Sequence, residues 1–471
     1  MASARWWIRF VVVAVALGGA AAVFLLGESL GADLPTPGAA GAAPASLVSV
    51  STVVHAAGPA DTMSHLLVAL AVIVAATQAL GWIAERAGQP SVVGEIVAGI
   101  ALGPSLLGAL WPAATTTLFP SSITPFLAAV SELGVILFMF MVGLEFDTAH
   151  LRRQARTAIA VSTAGIVLPF VLGVLLALWL SPRFGIGSSG FIVFSLFVGT
   201  AMSITAFPVL ARILKALSLS ATPLGVTALT SAAVGDISAW CLLALVVGLA
   251  EGDPGAVLPT IGMTVADTAL MLLVLRPLIH RWLARAGERI TGPGVLSGAV
   301  ALLLLSSVLT EWIGIHAIFG AFLFGALFPH DSRIADQVRR QVGPLVATLL
   351  LPVFFAYSGL RTRVGLLDGV GDWLVCGVIV LVAFLGKFGG VFAAARMTGL
   401  GVRDASSLGI LMNTRGLVEL IVLNVGLDIG ILSPALFAML ILMALVTTFA
   451  TTPILRALAN PRQAFVPSVE G

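Results

Sequence analysis

Apolar segments of about twenty residues follow one another along almost the whole chain, and short polar connections separate them. A helix needs about 20 apolar residues to cross the hydrocarbon core of a bilayer, so each segment is long enough to span a membrane. Of the 471 residues, 59% are hydrophobic and 10% are charged, whereas roughly a quarter are charged in a soluble chain. This composition excludes a soluble enzyme, a nucleic-acid-binding protein and a disordered chain. We therefore predict an all-α polytopic protein embedded in the lipid bilayer.

The apolar segments predict thirteen spans after residue 60: 64–84, 91–108, 125–145, 157–180, 190–212, 223–249, 256–276, 293–309, 313–329, 344–360, 372–395, 405–427 and 434–456. Lys and Arg collect in the cytoplasmic connections of membrane proteins. Connections after odd-numbered spans contain seventeen Lys and Arg residues, and those after even-numbered spans contain three. We expect a multi-pass protein of the cell membrane whose spanning domain begins outside and ends in the cytoplasm.

The N-terminal segment carries Arg5 and Arg9 before an apolar run, a pattern typical of a signal peptide or an uncleaved signal anchor. A stretch rich in Gly, Ala, Pro and Ser follows and is too poor in large apolar residues to pack. The predicted organisation is a signal peptide or anchor at 1–30, a flexible extracytoplasmic linker at 31–62, a transmembrane domain at 63–458 and a short cytoplasmic tail at 459–471.

An odd central span inverts whatever follows it, so spans one to six and eight to thirteen can form two inverted six-helix repeats. The second member of each set carries two glycines and a proline at nearly the same spacing: Gly94, Gly99, Pro104 and Gly320, Gly325, Pro329. This echo favours a repeat, although small residues are also typical of ordinary packing between membrane helices.

The fifth member of each set contains an interruption. Span five carries Ser203, Thr205, Phe207 and Pro208, and span twelve carries Asn413, Thr414, Arg415 and Gly416 inside an apolar run. Proline removes a backbone donor, and Pro208 alone is also consistent with a simple kink. Paired broken helices in corresponding positions of two inverted halves indicate the midplane site of a transporter. The unpaired carbonyls and amides of two such helices suit the coordination of a cation.

Asp236 lies at the midpoint of span six. An ionised carboxylate at this depth costs at least about 2.5 kcal/mol on insertion scales, so it must be paired, protonated or bound to a cation. Because burial favours the protonated form of a carboxyl group, Asp236 can exchange a proton for a cation near neutral pH. Ser203 and Thr205 supply nearby oxygen ligands for a monovalent cation at Asp236.

Other charged residues also lie within or near the predicted spans. Lys387 in span eleven can neutralise a carboxylate when the site is empty, or it can reach the membrane interface by snorkelling. Arg415 and Glu419 stand four residues apart, a spacing that pairs them on one helix face, and we interpret them mainly as structural. Glu132 and Glu95 are candidates for a second proton-carrying group or for the partner of Lys387.

Two other classes of membrane protein fit the sequence poorly. An intramembrane aspartyl protease needs a Gly-x-Gly-Asp turn and a second catalytic Asp, but residues 233–236 are Ala-Val-Gly-Asp and the only tyrosine, Tyr357, precedes Ser358. A channel would show a filter or a ring-forming acidic motif, and none is present. The sequence therefore indicates a transporter rather than an enzyme, and no cofactor is expected.

Seven stretches together resemble the monovalent cation/proton antiporter superfamily, and most closely its plant cation/proton exchangers and bacterial potassium-efflux-type antiporters. They are residues 94–108, 132–147, 201–214, 231–249, 314–329, 351–362 and 411–434. The resemblance extends over roughly 64–458. It implies two crossing broken helices in a mobile core domain, which packs against a scaffold domain that forms a homodimer.

The resemblance also implies roles for individual residues. Asp236 matches the second residue of an acidic pair or Asn-Asp pair and would bind cation and proton in turn. Thr205 to Pro208 and Asn413 to Gly416 match the crossing breaks, and Lys387 resembles the basic residue beside the site. Gly235 departs from the family pattern, since Asp or Asn is usual there. One central carboxylate predicts electroneutral exchange of one cation for one proton, and it leaves Lys387 without its usual neighbour.

The predicted function is secondary active antiport of K⁺ or Na⁺ against protons by alternating access, serving pH and cation homeostasis. The alternative is a sodium-coupled symporter of an organic solute on the same inverted-repeat fold. The sequence does not distinguish K⁺ from Na⁺, because that selectivity depends on the number and spacing of oxygen ligands.

Overall fold

The computed structural model describes residues 59–145, 155–185, 190–220, 222–250, 254–286, 293–314, 316–329 and 332–458. The predicted signal peptide or anchor, nearly all of the linker and the predicted tail lie outside these residues. The first described helix begins at Pro59, four residues before the predicted start of the transmembrane domain. Apart from one isolated bridge between Gly185 and Leu432, the regular structure of the described residues is helical.

In the part of the chain that the structure describes, seventeen helices carry the fold: α1 (Pro59–Arg86), α2 (Ser91–Leu102), α3 (Thr124–Glu145), α4 (Ala155–Phe184), α5 (Gly190–Ser203), α6 (Phe207–Ala216), α7 (Pro223–Ala250), α8 (Pro254–Ala269), α9 (Arg276–Ala286), α10 (Pro293–Ile313), α11 (Ala317–Gly325), α12 (Arg333–Gln341), α13 (Leu351–Leu360), α14 (Val370–Met397), α15 (Val402–Leu411), α16 (Leu417–Asp428) and α17 (Pro434–Leu458). Short helical segments connect some of them: Leu107–Leu110, Pro112–Leu118, Ser121–Ile123, Gly343–Leu345 and Val364–Leu366. Two π-helical segments, Leu270–Leu275 and Val346–Leu350, lead directly into α9 and α13.

Ten helical stretches among the described residues are long and apolar enough to cross a membrane. The described residues thus form an all-helical, multi-pass membrane protein, but the predicted count of thirteen spans is not confirmed. The predicted span 190–212 is divided into α5 and α6, and the predicted span 405–427 is divided into α15 and α16. The predicted span 313–329 contains only the nine residues of α11.

Each of the three shorter spans has a local cause in the sequence. Residues 204–206 leave the helical conformation before Pro208, which lies in the first turn of α6, where its missing N–H breaks no helical hydrogen bond. Residues 414–416 are likewise non-helical between α15 and α16. Before α11, Gly314 adopts a φ of +90°, a conformation that favours glycine and ends α10.

The described residues separate into two helical units. The broken-helix unit consists of the described residues of Ala149–Val246 and Leu366–Gly471, and therefore contains α4 to α7 and α14 to α17. The second unit consists of the described residues of Gly41–Thr148 and Val247–Gly365, and contains α1 to α3 and α8 to α13. Each unit takes helices from both halves of the chain.

Glycines allow four close helix contacts within the second unit. A Cβ at Gly94 of α2 would lie 2.1 Å from the Leu80 carbonyl oxygen of α1, and a Cβ at Gly320 of α11 would lie 2.4 Å from the Ser306 carbonyl oxygen of α10. A Cβ at Gly99 would likewise lie 2.5 Å from the carbonyl oxygen of Phe355 on α13. One at Gly325 would lie 2.3 Å from the carbonyl oxygen of Phe140 on α3. The first glycine of each pair thus contacts the preceding helix, and the second contacts the third span of the other half.

We predict that Gly99→Ala destabilises the folded protein by about 1–3 kcal/mol, the usual cost of overpacking a close contact. The added methyl group would also lie 2.8 Å from the Ala356 Cα, so the backbone must move. Thermal unfolding in detergent measures the effect. Gly298→Ala on α10 is the matched control, since no heavy atom lies within 4 Å of its added Cβ. A Gly99→Ala variant as stable as Gly298→Ala would contradict the close contact.

The broken-helix unit is built around α4 and α14. A Cβ at Gly390 would lie 2.5 Å from the Ala164 carbonyl oxygen, and one at Gly386 would lie 3.2 Å from the Pro169 Cα. The α4 helix also packs on α5, and α14 packs on α15 and α17. Close packing of these long helices holds the four shorter helices of the two breaks, α5, α6, α15 and α16, inside the unit.

Candidate ion site at the two helix breaks

The two breaks are joined by hydrogen bonds between their non-helical segments. The Ala206 amide donates to the Thr414 carbonyl oxygen at 3.0 Å, and the Thr205 hydroxyl donates to the Met412 carbonyl oxygen at 3.2 Å. Gly416 permits this approach, because a Cβ there would lie 2.6 Å from the Cγ2 atom of Val209. Four helix ends therefore meet in a small buried volume.

Asp236 belongs to α7, and its side chain meets the N-terminal end of α6. Its side chain is 2% exposed, and its carboxylate accepts a hydrogen bond from the backbone amide of Phe207, the first residue of that helix. A helix N-terminus carries partial positive charge and free amides, so it stabilises a negative group. The other carboxylate oxygen, Oδ1, is buried and has no hydrogen-bond partner among the described residues. An oxygen of this kind is available to a proton or a cation.

Two basic side chains bind the C-terminal end of α5. The Lys387 ammonium group donates to the Ser203 carbonyl oxygen. The Arg415 guanidinium group donates to the carbonyl oxygens of Ala201 and Met202, both at 2.8 Å. Lys387 is 1% exposed and Arg415 is fully buried. These two basic side chains satisfy carbonyls that lack partners in the helix, and their positive charges match the partial negative charge of its C-terminus.

The C-terminal end of α15 is bonded instead by neutral groups. The Thr414 hydroxyl donates to the Leu411 carbonyl oxygen at 2.7 Å, and the Asn413 side-chain amide donates to the Gly409 carbonyl oxygen at 2.9 Å. The Asn413 Oδ1 atom is fully buried and has no hydrogen-bond partner among the described residues. The two breaks thus differ in charge, since the C-terminal end of α5 contacts two positively charged side chains and that of α15 contacts neutral hydroxyl and amide groups.

Glu419 completes the buried charges of the site. Its Oε1 atom accepts a hydrogen bond from Arg415 Nη1 at 2.9 Å, and both side chains are fully buried. Glu419 lies in the first turn of α16, where a carboxylate also matches the helix dipole. Lys387 interacts electrostatically with Asp236, Glu419 and Arg415. Two basic and two acidic side chains therefore form one cluster around the breaks.

The structure brings most of the predicted site residues into the broken-helix unit: Ser203, Thr205, Phe207, Pro208, Asp236, Lys387, Asn413, Thr414, Arg415, Gly416 and Glu419. Of the two predicted ligand hydroxyls, that of Ser203 lies within hydrogen-bond distance of the Gly199 and Ile166 carbonyl oxygens, at 2.8 and 3.0 Å. Glu95 and Glu132 belong instead to the second unit, and the Glu132 side chain is exposed.

Sequence reasoning missed three contributors to the site. The carbonyl groups of Ala201 and Met202 bind Arg415, and the hydroxyl group of Thr448 on α17 binds the Arg415 backbone. Backbone carbonyls carry no sequence signal. The pair of hydroxyls at Thr447 and Thr448 inside an apolar span was a signal that could have found the third.

Comparison with known proteins identifies the family of this arrangement. The transmembrane sodium/hydrogen exchanger family matches residues 71–459, most of the chain. The chain belongs to the sodium/hydrogen exchanger family. Its fold is also that of the sodium proton antiporter MjNhaP1 from Methanocaldococcus jannaschii. The two structures share 17% sequence identity with a TM-score of 0.61, over 87% of this chain and 100% of the other.

Curated members of this family are similar in sequence. The Na⁺/H⁺ antiporter NhaS4 of Synechocystis is 44% identical over 398 residues, which cover 84% of this chain and 97% of that protein. Cation/H⁺ antiporter 20 of Arabidopsis thaliana is 40% identical over 84% of this chain and 48% of its own length. The K⁺/H⁺ antiporter 1 of Saccharomyces cerevisiae is 35% identical over 78% of this chain and 43% of its own length. The chain therefore spans about half the length of the plant and yeast relatives.

Proposed function

We propose that this exchanger carries K⁺ or Na⁺ across the cell membrane in exchange for protons, with Asp236 as the group that binds both. The observation that supports this most strongly is a buried carboxylate with an unpartnered oxygen at the meeting point of two broken helices. The names of the relatives, Na⁺/H⁺ antiporter and K⁺/H⁺ antiporter, support the same pair of ions.

Oxygen atoms at the two breaks suit an alkali cation. Asp236 Oδ1 and Asn413 Oδ1 are buried acceptors without donors among the described residues. The Thr205 hydroxyl donates to the Met412 carbonyl oxygen and keeps lone pairs that can coordinate a cation. Hydrogen bonds at Phe207 and Thr205 tie Asp236 and the Asn413 segment to the same break. A cation entering this space would replace the missing donors of both acceptors.

The charges of the cluster favour electroneutral exchange. With Lys387, Arg415 and Glu419 ionised, the cluster carries one net positive charge when Asp236 is protonated. It carries the same charge when Asp236 is ionised and holds one monovalent cation. Only the empty state differs. Exchange of one cation for one proton therefore leaves the charge of the broken-helix unit unchanged.

We infer that transport proceeds by alternating access, in which the broken-helix unit moves. Binding of either ion neutralises Asp236 and allows this unit to move, while the second unit serves as the scaffold of a homodimer. The proposed orientation places the start of the spanning domain outside and its end in the cytoplasm. The ions are transported substrates, and the proposal requires no cofactor.

The test is proton flux in proteoliposomes that contain a pH-sensitive dye. We expect external K⁺ or Na⁺ to change the internal pH at clamped membrane potential, and the rate to stay the same when the potential is varied. The ion that triggers the response is the substrate. Absence of any response to both cations, together with uptake of an organic solute that rises with Na⁺ and ignores pH, would replace this proposal with the symporter.

A further inference from the structure

Thr448 on α17 satisfies two backbone groups that the second break leaves without helical partners. Its hydroxyl accepts a hydrogen bond from the Arg415 amide at 2.9 Å and donates one to the Arg415 carbonyl oxygen at 2.8 Å. Thr448 is 3% exposed and Arg415 is fully buried, so water does not compete for these groups. One hydroxyl thus holds the peptide groups on both sides of the Arg415 Cα.

The peptide before Arg415 and the Arg415 side chain both link the second break to the first. The carbonyl of the peptide before Arg415 belongs to Thr414 and accepts the hydrogen bond of the Ala206 amide at 3.0 Å. The Arg415 side chain continues from the same Cα to the carbonyl oxygens of Ala201 and Met202. The position of both links therefore depends on the backbone that Thr448 holds.

Neighbouring hydroxyls on α17 do not share this geometry. Thr447 donates to the Met443 carbonyl oxygen at 2.9 Å, and Thr451 donates to the Thr447 carbonyl oxygen at 3.0 Å. Both acceptors belong to α17 itself, one turn earlier. Thr451 is 1% exposed, so it matches Thr448 in residue type, helix and burial but not in contacts with the break.

We propose that Thr448 is a positioning residue for ion exchange: its hydroxyl sets the backbone of the second break and so places Asn413, two residues before Arg415, against the bound cation. The inference rests on the proposed function, because Asn413 acts here as a cation ligand. Thr448 does not touch the ion. Its loss weakens cation binding by allowing the non-helical segment to shift.

The decisive variant is Thr448→Val, which keeps the shape of the side chain and removes the hydroxyl. We expect the apparent KM for the cation to rise about tenfold, because part of the cost of the two unsatisfied backbone groups falls on cation binding, with a smaller change in maximal rate. Thr448→Ser restores the hydroxyl and should return the KM to within about twofold of wild type. Thr448→Cys, a weak donor and acceptor, should fall between them.

Thr451→Val is the matched control and should exchange with wild-type KM. Gel filtration and thermal unfolding of each detergent-purified variant establish that it is folded. If Thr448→Val does not fold, the Thr448→Ser and Thr448→Cys variants test the role of Thr448. A Thr448→Val or Thr448→Cys variant with the KM of Thr451→Val would overturn the role of Thr448. Failure of the proposed function looks different, since wild-type exchange would then be absent or would survive in Asp236→Asn.

Discussion

Replacing Asp236 with Asn is expected to abolish cation-driven proton flux, leaving the rate of protein-free liposomes. Asn keeps the size of the side chain and can still accept the hydrogen bond from the Phe207 amide. It cannot release a proton or carry the negative charge that holds a cation. Because the same group is proposed to bind both ions, loss of its titration removes both halves of the cycle at once. The dye-loaded proteoliposome assay measures this directly.

Asp267→Asn is the matched control for this prediction. Asp267 on α8 is 5% exposed, and neither of its carboxylate oxygens has a hydrogen-bond partner among the described residues. It resembles Asp236 in chemistry and burial but belongs to the second unit. We expect Asp267→Asn to retain exchange. Retained flux in Asp236→Asn would place the ion-binding carboxylate elsewhere, and loss of flux in the Asp267 variant alone would point to α8.

The breaks could be predicted because their causes are local. Pro208 and the polar run at 413–416 interrupt apolar segments, and the structure places non-helical backbone at 204–206 and 414–416. Asp236 could be predicted as a site residue for a similar reason, since a charge in the middle of an apolar span is costly unless it is paired, protonated or bound to a cation. The pairing of Arg415 with Glu419 followed from their spacing and is present at 2.9 Å.

The partners of these residues across the fold could not be predicted. Lys387 lies 184 residues from the Ser203 carbonyl that it binds, and no rule of spacing connects them. The predicted count of thirteen spans is not confirmed, since ten helical stretches of the described residues are long and apolar enough to cross a membrane. The proposed inverted repeat stays a prediction. Two pairs of glycines support it, because Gly94 and Gly320 make equivalent contacts in the two halves, and so do Gly99 and Gly325.

Gly235→Asp is expected to turn a voltage-insensitive exchanger into a voltage-sensitive one. Gly235 is buried, yet no heavy atom lies within 4 Å of the Cβ that a substitution would add. A second carboxylate can therefore be added next to Asp236 in the sequence without displacing another group. Burial and mutual repulsion both favour protonated carboxyl groups, so we expect the pair to hold two protons until a cation enters. Two protons would then leave for each monovalent cation, and one net charge would cross the membrane in every cycle.

The readout is the cation gradient at which net proton flux stops. For the wild type this gradient should not depend on membrane potential, whereas in Gly235→Asp it should shift about tenfold for each 59 mV, the value for one transferred charge. Gly235→Asn is the matched control, since it fills the same space without a titratable group and should stay insensitive to potential. An active Gly235→Asp variant that ignores the potential would show that a carboxylate at residue 235 does not join the proton cycle. The expected result would mean that the number of titrating groups at the breaks sets how many protons are exchanged for each cation, and that the surrounding fold does not.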